Sequence, residues 1–151
     1  MLLTDADLSA CCASRRWIDA VAARRPRDLD ELRAAAASAL DELEWPDVEE
    51  ALDAHPRIGD RVDGWSKAEQ SGMDGAESDV RAALIEGNRA YEDRFGHVFL
   101  ICATGRTAGD MLGDLRTRLG NGVEAERAVV RRELAKIVDL RLIRLVGEED
   151  L

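Results

Sequence analysis

The sequence predicts an all-α protein, and three observations support this fold class. Only 4% of the 151 residues are aromatic whereas 46% are hydrophobic, a balance typical of helical proteins rather than β-sandwiches. Apolar residues recur along most of the chain at the three- and four-residue spacing of amphipathic helices. Most of these stretches also begin at a capping residue or end at glycine or proline. We therefore expect a single-domain helical bundle of about seven to eight helices over residues 1–151.

Capping residues, prolines and glycines place the helix ends. Two short helices are expected first, and longer ones over residues 28–43, 76–95 and 107–119, with a last helix reaching about Val146. Pro46 suits the first turn of a further helix that stops before Pro56. The residues that mark these ends are Thr4, Ser14, Pro26, Asp28, Pro46, Pro56, Gly96, Thr107 and Gly120.

Two segments do not have the helical pattern. Residues 60–76 are rich in Gly, Asp and Ser and predict a long loop, and ordered loops of this length are often functional. Residues 98–102 are a short apolar run whose pattern alone allows a strand or a helix; we interpret it as a buried extended segment. If it lies unpaired, its backbone N–H and C=O groups are available to a flat, amide-rich ligand.

Composition excludes several classes of function. The formal charge of −10, with no stripe of Lys and Arg, disfavours binding to nucleic acid or to an anionic membrane. No run of about 18 apolar residues and no basic leader followed by an apolar run is present, so we expect a cytoplasmic protein without a membrane span. The cysteines, Cys11, Cys12 and Cys102, lack metal-site spacing and are expected to be reduced. No nucleotide or metalloprotease motif occurs, and a metal site of His55, Asp60 and His97 is only a minor alternative.

His55 is the first candidate for chemistry because helical spacing from Val48 and Leu52 turns it inward at the end of its helix. A histidine in such a place usually has a structural role. Pro56, which stiffens the backbone after it, and Gly59, which permits a sharp turn, instead favour a side chain held at the edge of a cleft.

Other polar candidates are ambiguous from the residues alone. Arg141 lies on the apolar stripe of the last helix, where a substrate carboxylate or an ion pair with an acidic side chain would explain it equally well. Asn88 lies on an apolar stripe too, and tying down a neighbouring loop is the more common role for such an amide than contact with a ligand. Glu69 and Gln70 fall in the polar loop and would ordinarily be solvated.

Three strings carry the most specific pattern of the sequence: HPRIGD at 55–60, SKAEQ at 66–70 and NRAYEDRFGHVFLICA at 88–103. Together they resemble the family of 2-oxo-4-hydroxy-4-carboxy-5-ureidoimidazoline (OHCU) decarboxylases. Their order and spacing agree with the family, and the resemblance covers nearly the whole chain. Further matching positions are Trp17, Pro26, residues 118–121, residues 133–137, Arg141 and Leu142.

The resemblance implies an all-helical decarboxylase that needs no metal or organic cofactor and converts OHCU to (S)-allantoin and carbon dioxide. It also implies a homodimer with a functional link to urate oxidase and hydroxyisourate hydrolase. By position, His55, Glu69 and Arg141 match the family's catalytic residues. The positions that match substrate contacts are Pro56, Ser66, Gln70, Phe99, Leu100 and Ile101.

Two departures from the family pattern stand out. His97 replaces a phenylalanine of many members, which should make the wall beside the ligand more polar, and the loop between His55 and Ser66 is shorter. Two other functions remain as alternatives. One is a catalytically silent helical binding module, and the other is a lyase or hydrolase that acts on a different ureide.

Overall fold

The structure, a computed structural model, describes residues 2–58, 69, 71 and 78–149. Seven helices and no strand occur in these ranges, in agreement with the predicted all-α class. None of these helices is long and apolar enough to cross a membrane. We number them α1 Asp5–Cys11, α2 Arg15–Ala23, α3 Leu29–Asp41, α4 Trp45–Leu52, α5 Ser78–Phe95, α6 Ala108–Leu119 and α7 Val123–Glu149.

The helix starts follow the capping signals. The Thr4 hydroxyl accepts a hydrogen bond from the Asp7 amide while the Asp7 carboxylate accepts one from the Thr4 amide, which is a complete capping box. Thr107 and Asp110 repeat this arrangement at α6, and the Ser14 side chain caps α2. Each cap satisfies amide groups that have no partner inside the helix, so these starts could be read from the sequence.

Two helix ends differ from the prediction. The third helix ends at Asp41 rather than Leu43, while α7 continues to Glu149, past the expected Val146. The extension passes through Gly147, because a single exposed glycine costs a helix only about 1 kcal/mol. The end of α5 is as predicted, since Gly96 adopts φ 79°, a left-handed conformation that suits glycine.

The described chain packs as two compact units. The first comprises residues 1–54 and 134–151, and the second residues 55–133. In the first unit, Trp17 of α2 is fully buried, and its indole N–H donates to the Ala36 carbonyl of α3 at 3.2 Å. That bond satisfies the one polar group of a large core side chain, so burial of Trp17 carries no unpaired donor.

The second unit contains α5, α6, the first part of α7 and the non-helical stretch between α5 and α6. Helices α5 and α6 pack against each other around an apolar core. Its buried members are Ile58, Leu84, Tyr91, Phe99, Ile101, Ala103, Ala108, Met111, Leu112 and Leu115. The core therefore joins the HPRIGD segment and the 98–102 segment, two of the three strings that carry the family resemblance.

Candidate active site

His55 is the first residue of the second unit and lies just beyond the end of α4. That helix stops at Leu52, two turn residues follow, and the His55 and Pro56 side chains are half-buried. The inward helical position that the spacing predicted therefore becomes a position in the connection after the helix. A proton-transfer group must be accessible to its substrate, and a half-buried side chain meets this requirement better than a fully buried one.

The segment that follows His55 is fixed to helix α5. The Asn88 side-chain amide donates to the Ile58 carbonyl at 3.0 Å, and the Ile58 side chain is 5% exposed. One turn further along α5, Glu92 binds Arg57 through both of its oxygens, at 2.6 and 3.1 Å. Among the described residues, Arg57 and Ile58 therefore connect this segment to α5.

The structure thus assigns Asn88 the loop-tying role that was the more common expectation. Its side chain is 2% exposed. Its carbonyl oxygen, Oδ1, is buried and accepts no hydrogen bond from any described residue. A buried acceptor without a partner costs about 1–3 kcal/mol, so the contribution of Asn88 to the described structure comes from its donor side.

The 98–103 segment is neither helix nor strand, and Phe99, Leu100 and Ile101 are all buried. Two charged side chains hold its backbone. Arg118 donates to the Leu100 carbonyl at 2.7 Å, and Glu133 accepts from the Cys102 amide at 3.2 Å. The N–H groups of residues 99–101 make no hydrogen bond within the described part of the chain. That these N–H groups bind a ligand stays a prediction.

Arg118 belongs to a buried polar cluster that the sequence reasoning missed. Its guanidinium donates twice to one oxygen of Glu126, at 2.9 and 2.6 Å, and the two side chains are 3% and 0% exposed. Tyr91 donates to the same carboxylate at 2.5 Å, and Asn121 donates to its other oxygen at 3.1 Å. Burial, and then the hydrogen bond to Glu126, raises the pKa of Tyr91 well above its usual value, so this phenol stays a donor.

A usable signal for this cluster was present in the sequence. Arg118 lies three residues after Leu115 and seven after Met111, which places it on the apolar stripe of α6. Glu126 stands four residues before Val130 on the stripe of α7. The same reasoning that selected Arg141 would have selected both residues.

Arg141 lies in the first unit, in the C-terminal part of α7. Its side chain is half-buried and donates to the Ala10 carbonyl at 3.3 Å, near the end of α1. Its positive charge also acts on the neighbouring Cys12 thiol, although burial dominates and raises the pKa of Cys12 to about 12. That Arg141 and His55 lie in the same catalytic site stays a prediction.

The predicted loop lies mostly outside the described residues. Of its catalytic and contact candidates, Glu69 is described, with helical backbone and a half-buried side chain. Ser66 and Gln70 fall outside, as do Gly59 and Asp60 and the rest of residues 60–76 apart from Ser71.

His97, the departure from the family pattern, packs among aromatic rings. Its ring centre lies 5.5 Å from that of Tyr91 and 6.3 Å from that of Phe95, and its Nδ1 lies 3.0 Å from the Val98 carbonyl oxygen. Its proposed effect on a ligand stays a prediction. Within the described residues, no three acidic, histidine or cysteine side chains are grouped closely enough to hold a metal ion.

A hollow of about 520 Å³ in the first unit lies apart from all these candidates. Helices α3 and α7 line it mainly with alanine, and Arg33 and Asp139 flank it. None of the predicted site residues is among its lining residues, so it is not a candidate active site.

Comparison with known proteins shows the family and the fold. Residues 4–143 match the family model described as OHCU decarboxylase. A 2-oxo-4-hydroxy-4-carboxy-5-ureidoimidazoline decarboxylase from Amia calva is 29% identical over 120 residues, which are 74% of this chain and 69% of that protein. The uric acid degradation bifunctional protein TTL of Arabidopsis thaliana is 26% identical over 159 residues. That alignment covers 99% of this chain but only 49% of the plant protein, so the chain spans about half the length of that relative.

Two solved structures are similar in fold. A crystal structure of OHCU decarboxylase in the presence of (S)-allantoin superposes with a TM-score of 0.87 at 29% identity, over 96% of this chain and 99% of that one. A crystal structure of (S)-allantoin synthase shares the fold, with a TM-score of 0.72 at 18% identity over 93% of this chain and 49% of that one. The family match over nearly the whole sequence and the agreement in fold lead to one conclusion: the chain belongs to the OHCU decarboxylase family.

Proposed function

We propose that this protein is a carboxy-lyase that converts OHCU to (S)-allantoin and carbon dioxide in urate degradation, with no metal or organic cofactor. The observation that carries the proposal is the similarity in fold and sequence to an OHCU decarboxylase whose crystal structure was determined in the presence of (S)-allantoin. The chain retains the family's catalytic positions as His55, Glu69 and Arg141.

The reaction needs little more than proton transfer and placement of the substrate. The bond to the carboxylate carbon breaks, carbon dioxide leaves, and the electron pair enters the conjugated ring. One proton then replaces the lost carboxylate. His55 exchanges a proton with the substrate hydroxyl or with the nascent enolate, because imidazole both accepts and donates protons near neutral pH.

The other site residues bind and orient. Arg141 pairs with an anionic or carbonyl group of the substrate, and Glu69 and Gln70 bind the ureido nitrogens. Pro56 and Ser66 contact the substrate. The open N–H groups of Phe99, Leu100 and Ile101 bind carbonyl oxygens of the flat ring, since backbone amides in a buried segment are strong, fixed donors.

The proposal extends to the state and setting of the protein. Residues 1–151 form one OHCU decarboxylase-like domain, and two copies form a homodimer. It acts in the cytoplasm beside urate oxidase and hydroxyisourate hydrolase. Light scattering on the purified protein tests the dimer, since a monomeric mass at micromolar concentration would contradict it.

Turnover is tested by circular dichroism of OHCU formed in situ from urate by the two upstream enzymes. We expect the (S)-allantoin signal to grow faster than the spontaneous reaction, which yields a racemate. No acceleration, combined with stabilisation of the folded protein by allantoin, would instead indicate the silent binding module. Turnover of another ureide in place of OHCU would indicate the second alternative.

A further inference from the structure

Arg118 and Glu126 form a buried ion pair that takes no part in the proposed chemistry, yet Arg118 contacts the segment that would hold the substrate. Its guanidinium carbon lies 4.5 Å from the centre of the Phe99 ring, and its third nitrogen donates to the Leu100 carbonyl. We propose that Arg118 is a positioning residue, which fixes and polarises the Ile101 N–H that receives the substrate. This inference rests on the proposed function.

The planarity of the peptide bond gives the step from Arg118 to Ile101. The Leu100 carbonyl and the Ile101 N–H belong to one peptide group, which is trans, as no cis bond occurs in the described chain. In a trans peptide the C=O and N–H point in opposite directions. A donor that holds the carbonyl therefore also directs the N–H away from Arg118, and it makes that N–H a stronger donor because hydrogen bonds along a peptide group reinforce each other.

The rest of the cluster keeps the guanidinium from moving. Glu126 binds it through two N–H groups, and Tyr91 and Asn121 hold the carboxylate in turn. These residues come from α5, from α7 and from the loop between α6 and α7, so three parts of the second unit fix one peptide group. Binding groups need this kind of support, because small displacements weaken them.

Stability alone does not account for an ion pair here. Apolar residues of similar volume often replace a buried ion pair without loss of stability, because removing two charges from water is unfavourable. Unlike an apolar side chain, the guanidinium group of arginine carries several N–H donors. In Arg118 these donate to Glu126 on one side and to the Leu100 carbonyl on the other. Lysine carries a single ammonium group and has no such arrangement of donors.

The first test replaces the pair as a unit, Arg118→Met with Glu126→Gln, so that no unpaired charge is left buried. We expect the double variant to fold with a melting temperature lowered by several degrees, because the buried Leu100 carbonyl loses its donor, whereas KM for OHCU rises about tenfold and kcat changes less than threefold. The matched control is Arg33→Met with Asp139→Asn, an exposed bidentate pair in the first unit, for which KM should not change. A folded double variant whose KM for OHCU equals that of the parent protein would overturn the proposal.

A second variant and a second measurement separate this proposal from the proposed function. Arg118→Lys keeps a charge for Glu126, and it should raise KM as the double variant does; if the double variant fails to fold, this result decides. In both variants the amide nitrogen-15 shift of Ile101 should move before any ligand is added. An unmoved Ile101 signal refutes the role of Arg118 even in a protein that turns over OHCU. A moved signal in a protein without turnover refutes only the proposed function.

Discussion

The amide of Asn88 holds the Ile58 carbonyl, three residues beyond His55, and replacing Asn88 with alanine removes this bond without adding bulk. Both the Asn88 side chain and Ile58 are buried, so water does not readily take the place of the lost donor. The Arg57–Glu92 pair remains in the variant, but its side chains are 56% and 24% exposed and it holds only weakly.

The expected loss of stability is the balance of opposing effects. Leaving the Ile58 carbonyl without a partner costs about 1–3 kcal/mol, and the cavity left by the shorter side chain costs about 1 kcal/mol more. Alanine also removes the buried Oδ1 that has no partner in the described structure, which returns about 1–3 kcal/mol. At the middle of both ranges the net loss is about 1 kcal/mol, which is a fall in melting temperature of about 2–4 °C for a chain of this length.

Activity should fall further than stability, because the freed segment no longer holds His55 in place. A misplacement of about 1 Å costs on the order of a hundredfold in rate, so we expect kcat/KM for OHCU to drop about 10- to 100-fold. Thermal melting and steady-state kinetics on the same preparation measure both effects. Glu92→Gln is the control and should change kcat/KM less than threefold. An Asn88→Ala protein that is less stable but has the kcat/KM of the parent protein would refute the account. Asn88 would then stabilise the segment after His55 without positioning His55.

Two further predictions concern stability. Gly113→Ala in α6, where an added Cβ meets nothing within 4 Å, should raise stability by about 0.5–1 kcal/mol; Gly87→Ala in α5, whose Cβ would lie 2.5 Å from Leu115 Cδ2, should instead lower it by about 1–3 kcal/mol. Urea unfolding measures both, and equal effects would contradict the described packing of α5 on α6. The second prediction concerns Cys12, because burial raises its pKa from 9.0 to about 12. The raised pKa keeps the Cys12 thiol neutral in the folded state, whereas the unfolded chain releases the proton above pH 9. The contribution of Cys12 to the free energy of unfolding is therefore complete below pH 9 and falls as the pH rises toward 12, by up to about 4 kcal/mol. Cys12→Ala should flatten this alkaline fall in unfolding free energy, and an unchanged pH profile would contradict the burial of the thiol.

The helices could be predicted because their signals are local. Thr4, Ser14, Asp28 and Thr107 each cap the helix that follows, and Gly96 ends α5 in a left-handed conformation. A side chain that bonds an amide three residues away leaves its mark within one turn of sequence. The precise ends of α3 and α7 depend on packing and were missed by two or three residues.

The candidate site could be predicted only in part, since its chemistry depends on contacts between distant positions. His55 was selected from its place at the predicted end of a helix and before proline, and Arg141 from its place on an apolar stripe. The family resemblance added Glu69 and implied a catalytic role for all three. The Arg118–Glu126 pair lay on two apolar stripes, but only the fold shows that these side chains meet and that Arg118 reaches Leu100. Nor does the sequence distinguish a tying Asn88 from a ligand-binding one, because the difference is the distance to Ile58.

The catalytic role of His55 is the central claim, and it is tested most directly by His55→Ala in the circular dichroism assay. Melting and elution profiles must first show that the variant folds as the parent does. The account predicts that the (S)-allantoin signal then grows no faster than the spontaneous reaction. Parent-like turnover by a folded His55→Ala protein would contradict it.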